Sequence, residues 1–185
     1  FLKLHPDIAV ILNVDADHME YFKTMDHVIA SYHQFAQMAT KAVIYNGEDA
    51  NACKAVEGVA GKKMLTFGMG ENNDYYPKNI VHTDGRHTRY DLYCRGENLG
   101  TVLLNVPGDH NILNSISAIA AAIEVGCGVQ QAIASASVFQ GAGRRFEIMG
   151  ENKGVTIADD YGHHPAEIEA TLKAAKAMDY RAVWA

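Results

Sequence analysis

The stretch IAVILNV, residues 8–14, is apolar and β-branched almost without interruption, and it is closed by Pro6 before it and Asp15 after it. A strand wetted on one face alternates apolar and polar residues. One that is apolar throughout must be covered on both faces, as happens in a parallel sheet flanked by helices. KAVIYNG (residues 41–47) and KKMLTFG (62–68) have the same character, with helical patterns between the three runs at about residues 25–40 and 49–56. This alternation predicts an α/β fold: a mostly parallel sheet flanked by helices.

The pattern changes at residue 74. Residues 74–108 are strand-rich, with turn signals at Asp84-Gly85 and at Gly96-Glu97-Asn98, and predict an antiparallel, strand-rich insertion. DHNILNSISAIAAAIEVGCG then reads as a helix, with Asp109 as N-cap after the Pro107-Gly108 turn and Gly126 as its stop. A second helix is expected near residues 129–138. The glycine-rich QGAGRRF (140–146) reads as a linker. Beyond it the pattern predicts a pair of strands, a helix over about 165–178 with Ile168, Leu172 and Ala175 facing inward, and a strand in YRAVWA.

Composition narrows the function. The net charge of −6 offers no sequence-wide basic field, so nucleic acid is not an expected partner. No apolar run approaches the ~20 residues of a membrane span, and no signal peptide is visible. Cys53, Cys94 and Cys127 are odd in number and far apart; they suggest small buried groups in a reducing, cytoplasmic setting. The chain starts without Met, almost on a strand, and stops within an apparent strand, so it is expected to be a piece of a longer protein.

Three polar clusters sit where ligands bind in open α/β sheets, beyond the carboxyl ends of strands or at helix starts. On the helix after Pro107-Gly108, residues Ile112, Leu113, Ile116, Ile119, Ala120 and Ile123 fall on one arc. His110, Asn111 and Asn114 fall on the other, where an imidazole and two amides suit a polar heterocycle, although capping explains them equally simply. In NVDADHMEYF, Asp15, Asp17 and His18 follow the first strand and suit either a divalent metal or a loop cap. In IADDYGHHPAEIEATL, a strand ends on Asp159 and Asp160, and Tyr161, His163 and His164 precede Pro165, a residue suited to the first helical position. Capping accounts for one or two of these residues, not for all of them. Arg144 and Arg145, on the linker, have the forked geometry that suits phosphate oxygens. No Gly-x4-Gly-Lys-Ser/Thr phosphate loop is present; GVAGKK (58–63) has the wrong glycine spacing and no hydroxyl after the lysine.

Taken together, FLKLHPDIAVILNVDADHMEYF, VPGDHNILNSISAIAAA, FQGAGRRFE and DDYGHHPAEIEATLKAA resemble the Mur ligases of bacterial cell-wall synthesis, in the family's order and over essentially the whole chain. The resemblance implies that residues 1–140 are the later part of a central ATPase domain and 141–185 the start of a Rossmann-like C-terminal domain. The phosphate loop and a UDP-sugar-binding domain would lie outside this sequence. It implies ATP-dependent amide formation through an acyl phosphate, closest to the member that joins L-alanine to UDP-N-acetylmuramate, with ATP and Mg2+ required and this piece alone inactive. By the same resemblance His18 would stand at a magnesium ion. His110, Asn111 and Asn114 would touch adenine, and Arg145 or Arg144 the nucleotide or the transferring phosphate. Asp160 would lie on the nucleotide side, Tyr161 and His163 at the amino-acid site, and His164 would be structural. Asp109 departs from the pattern, which has Arg or Lys there. Rival readings are the ligase that recycles murein tripeptide onto UDP-N-acetylmuramate, and a non-catalytic nucleotide-binding module. A dehydrogenase is disfavoured because no GxGxxG follows a strand.

Overall fold

The computed structural model describes residues 1–83 and 86–185; the Asp84-Gly85 turn signal lies outside the described residues. Six strands form one sheet in the order β1 (Ile8–Ile11), β2 (Ala42–Asn46), β3 (Lys63–Phe67), β4 (Tyr75–Thr83), β5 (His87–Cys94) and β6 (Glu97–Leu104). β1, β2 and β3 are parallel, and β4, β5 and β6 form an antiparallel meander. β3 and β4 are parallel through one pair, Phe67 and Tyr75. β4 therefore begins where β3 ends and runs on past the carboxyl edge, which is why a short loop can join two parallel strands without a crossover helix.

The helices are α1 (Met19–Phe22), α2 (Met25–Met38), α3 (Ala50–Val56), α4 (Asp109–Glu124), α5 (Val129–Val138) and α6 (Pro165–Lys176); β7 (Glu147–Asn152) and β8 (Val155–Asp159) form a separate antiparallel hairpin. One face of the large sheet packs Ala9, Ile11 and Val43 against Val28, Ala36, Ala52 and Val56 of α2 and α3. The other packs Ile44, Leu65, Phe67, Tyr90, Leu92 and Val102 against Ile112, Ile116 and Ile119 of α4. The apolar first strand is thus explained: Ile8 and Val10 serve one core, Ala9 and Ile11 the other. Lys63, at the start of β3, pairs with Glu124, at the end of α4, at 2.6 Å. α4 therefore runs antiparallel to the strands, and its N-terminus lies at their carboxyl edge.

That edge is tied by side chains. Asp49 caps α3 by accepting from Ala52 N at 2.6 Å, and the same oxygen lies 3.4 Å from Val14 N. Asn51 donates to Val14 O at 3.0 Å. Asp49→Ala should cost ~1–2 kcal/mol, read as a lowered denaturation midpoint, whereas Asp49→Asn should retain most of it because asparagine caps equally well. An Asp49→Ala midpoint equal to that of the native chain would remove the cap from this account.

Several expectations are corrected. The N-cap of α4 is Gly108, at φ 92, and Asp109 is the first helical residue. Gly126, at φ 94, does follow the helix end. The β5–β6 turn is Arg95-Gly96, both with positive φ as a two-residue hairpin requires, so Glu97 and Asn98 already belong to β6. Arg95 is held there by Asp74, whose carboxylate accepts from Nε at 2.6 Å. α6 buries Ala174, Ala175 and the following Met178, while Ile168 stays 43% exposed, because the C-terminal half of the helix is the part seated on the protein. YRAVWA forms no strand: its backbone joins neither sheet among the described residues, and Trp184 is 93% exposed. The cysteines are free and half-buried rather than buried.

Candidate functional site

The start of α4 is shaped by Gly108. A side chain there would collide with the His110 ring, whose Cε1 lies 2.6 Å from the position a Cβ would take, so the imidazole folds back over the glycine. Asn111 Nδ2 donates to Pro107 O at 2.7 Å, and Asn114 Nδ2 donates to Asn111 Oδ1 at 3.2 Å. The two amides orient one another on the face away from the core. Asp109 lies 3.4 Å from His82 Nε2 of β4, and its carboxylate suits the positive end of the helix dipole.

Removal from water lowers the pKa of His110 from the ordinary 6.5; the carboxylates of Asp160 and Asp109 pull it up, and Arg145 pushes it down. Asp160 and Arg145 are therefore electrostatic neighbours of the α4 N-terminus, although Arg145 lies on the linker and Asp160 beyond it. Below pH 6.5 the unfolded chain takes up a proton at this residue before the folded one does. Stability is thus lost as pH falls from 6.5 through the lowered folded value. The native chain should lose more stability between pH 7 and pH 5 than His110→Gln, measured by denaturant midpoints. Parallel losses would remove the effect.

Residues 15–18 leave the carboxyl end of β1 in a tight loop. Asp15 Oδ1 accepts from Ala16 N at 2.7 Å and Asp17 Oδ1 from His18 N at 2.8 Å. His18 sits at φ 52, just before α1, with its ring nitrogens 3.6 Å from Asp17 and 3.4 Å from Glu20. Its side chain is largely exposed, and among the described residues no three His, Cys, Asp or Glu side chains gather to hold a metal.

The third cluster is organised by two carboxylates. Asp160 accepts from Phe146 N at 2.9 Å and Gly162 N at 2.6 Å, closing the loop onto the end of the linker. Glu167 accepts from His163 N at 3.2 Å, His164 N at 3.3 Å and Arg145 Nη1 at 3.3 Å. The His163 and His164 amides and the Arg145 guanidinium hold its pKa below the ordinary 4.5. Arg144 lies over the Tyr161 ring at 4.7 Å and donates to Asp159 at 3.3 Å. The rings of Tyr161 and His163 meet edge to face at 5.3 Å. His163 Nδ1 is 3.1 Å from Tyr161 O, an oxygen that can only accept, so Nδ1 is the donor there and in the neutral ring the lone pair is on Nε2.

The clusters converge. His164 Nε2 reaches Ala16 O at 3.2 Å, linking the third cluster to the loop of His18. A Cβ placed on Gly108 would lie 3.4 Å from Ala174 of α6. Between β6, the linker and β7 lies a cleft of about 390 Å³ lined by Arg86, Asn105, Pro107, Arg145 and Met178 among others.

Two family models match the chain. The Mur ligase middle domain matches residues 1–122, and the Mur ligase, glutamate ligase domain matches residues 144–185. The chain belongs to the Mur ligase family. Curated Mur ligases similar to it include the UDP-N-acetylmuramate–L-alanine ligase of Caldanaerobacter subterraneus, 40% identical over 99% of this chain. That of Clostridium novyi is 41% identical over all of it. In both cases the chain spans 40% of the relative's length. Among solved structures, the UDP-N-acetylmuramate–alanine ligase of Thermotoga maritima superposes over 96% of this chain and 40% of its own, with a TM-score of 0.79 at 23% identity. MurF of Acinetobacter baumannii superposes over 94% and 38%, with a TM-score of 0.81 at 21% identity. The mixed sheet, parallel with an antiparallel extension, is the fold of this Mur ligase chain and of these neighbours.

Of the residues expected at a Mur ligase site, His110, Arg145 and Asp160 share one neighbourhood. Tyr161, His163 and Arg144 form the outer side of the same loop. His18 projects from the loop that His164 touches. Asn111 and Asn114 bond to each other and to Pro107. Sequence reasoning missed the part played by Glu167. The signal was present: His164 and Glu167 stand at N-cap and N3, and both halves of a capping box form.

Proposed function

We propose that this chain is part of a cytoplasmic enzyme that joins L-alanine to UDP-N-acetylmuramate at the expense of ATP. Residues 1–140 would be the later part of its central ATPase domain and 141–185 the start of its C-terminal domain. The observation that carries this reading is the meeting of residues 160–164 with both the 15–18 loop and the start of α4. Nucleotide-side and amine-side groups thereby face one junction. The names of the relatives support the alanine substrate. A MurF ligase from Thermotoga maritima solved in complex with ADP, with a TM-score of 0.75, supports nucleotide use.

In this reaction the muramoyl carboxylate is phosphorylated, the alanine amine attacks the acyl phosphate, and phosphate leaves. Such chemistry needs positioning and neutralisation of charge more than a protein nucleophile. The lone pair on His163 Nε2 would accept a proton or hydrogen bond from the alanine ammonium, with Tyr161 beside it. Arg145, freed from or shared with Glu167, would meet phosphate oxygens. His110 would lie against adenine, its neutral form favoured by its surroundings, with Asn111 and Asn114 as hydrogen-bonding partners. Arg144 and Asp160 would shape the nucleotide side through the linker. Mg2+ prefers oxygen ligands, so His18 would be a single nitrogen contributor beside waters and phosphate oxygens. When bound, the ion would neutralise phosphate charge.

The test is ADP release by the full-length protein carrying this sequence, expected only when ATP, UDP-N-acetylmuramate and L-alanine are all present. Release with murein tripeptide in place of alanine would favour the recycling ligase, and ATP binding without turnover the non-catalytic module. Asn111→Ala should raise the ATP concentration needed for half-maximal rate about tenfold, the usual size of one lost polar contact. An unchanged ATP requirement would take it out of the adenine site.

A further inference from the structure

We propose that His164 is a positioning residue that latches residues 160–163 onto the 15–18 loop, with one ring nitrogen capping α6 and the other holding the loop. The cap is unusual. N-caps are normally Ser, Thr, Asp or Asn, whose short side chains reach only their own helix. Here Nδ1 accepts from Ala166 N at 3.4 Å, while Nε2 lies 3.2 Å from Ala16 O, 148 residues away in sequence. An amide N–H can only donate and a carbonyl can only accept, so the two contacts together select the neutral tautomer with hydrogen on Nε2. No shorter capping residue can make both.

Both ends of the latch are ordered by local hydrogen bonds. On one side Ala16 N and His18 N are tied to Asp15 and Asp17, so holding Ala16 O holds the segment that carries His18. On the other, Glu167 binds the amides of His163 and His164 and the guanidinium of Arg145. His164 thus sets the spacing between the His18 loop and the Tyr161–His163 pair without touching a ligand. The consequence for catalysis rests on the function proposed above; the latch itself does not.

Asparagine places its amide near the Nδ1 position and glutamine near the Nε2 position, so each variant keeps one contact and drops the other. In the 185-residue chain, His164→Asn should speed amide hydrogen exchange at residues 16–18 about tenfold and leave the first turn of α6 protected. His164→Gln should do the reverse. Nitrogen-15 NMR of the native ring should show the Nε2–H tautomer. In the full-length ligase, His164→Asn should lower kcat about tenfold with the KM for ATP within about twofold, and His164→Gln should restore most of kcat. Native exchange rates at residues 16–18 in His164→Asn would overturn the latch, whatever the activity. Faster exchange there with native kcat would overturn the positioning role. If the full-length protein shows no ligase activity at all, the proposed reaction fails while the exchange contrast still decides the latch.

Discussion

Replacing His163 with alanine in the full-length protein should lower alanine-dependent phosphate release about a hundredfold, with ATP binding changed less than about twofold. The expectation follows from what the side chain does in the fold. It is largely exposed, and its contacts are the Tyr161 carbonyl, the edge of the Tyr161 ring and a distant approach to Glu167. Its backbone N–H, not its ring, is what Glu167 binds, and alanine keeps that bond. Removing the imidazole therefore leaves the loop standing and takes away the lone pair that the proposed reaction assigns to the incoming amine. The melting temperature should stay within about 1 °C, since an exposed side chain carries little of the core. Equal losses of ATP binding and phosphate release would show that His163 supports the nucleotide side and would sink the amine-side assignment.

Ile116→Ala should be the most damaging single truncation among those considered, costing ~3–4 kcal/mol and lowering the melting temperature by roughly 6–15 °C. Ile116 is fully buried on α4, in the same cluster as Phe67, Tyr90, Leu92 and Val102. Those neighbours come from strands whose positions are fixed by the sheet ladder, so the cavity collapses poorly. The damage should reach the site, because the helix seated by Ile116 is the one that presents His110, Asn111 and Asn114. Ile168→Ala on α6, 43% exposed, provides the contrast: its cost should stay below ~0.5 kcal/mol. Similar losses for the two variants, measured by thermal unfolding, would contradict the placement of the core.

The parallel strands were legible because a doubly covered strand must be apolar on both faces, and IAVILNV, KAVIYNG and KKMLTFG each state that locally. The apolar arc of α4 was legible for the same reason. The helix start was misread by one residue because Asp109 is a good capping residue by type. Gly108 took the position because the backbone turns there through positive φ and the His110 ring occupies the space a side chain would need. The strand expected in YRAVWA did not form, since apolar composition cannot supply the neighbouring edge that a strand must bond to. Nothing in the spacing of the clusters showed that His164 would reach Ala16, or that Asp160 and Arg145 would act on His110.

The order of residues by itself determined which segments become strands and helices, and which polar residues gather at the ends of those elements. Periodicity and turn chemistry act over a few residues and can be read there. Only the tertiary structure decided that the 160–164 loop lies beside both the 15–18 loop, through His164, and the start of α4, through Asp160. Those contacts join positions far apart along the chain, and what brings them together is the packing of α4 on the sheet and the path of the linker.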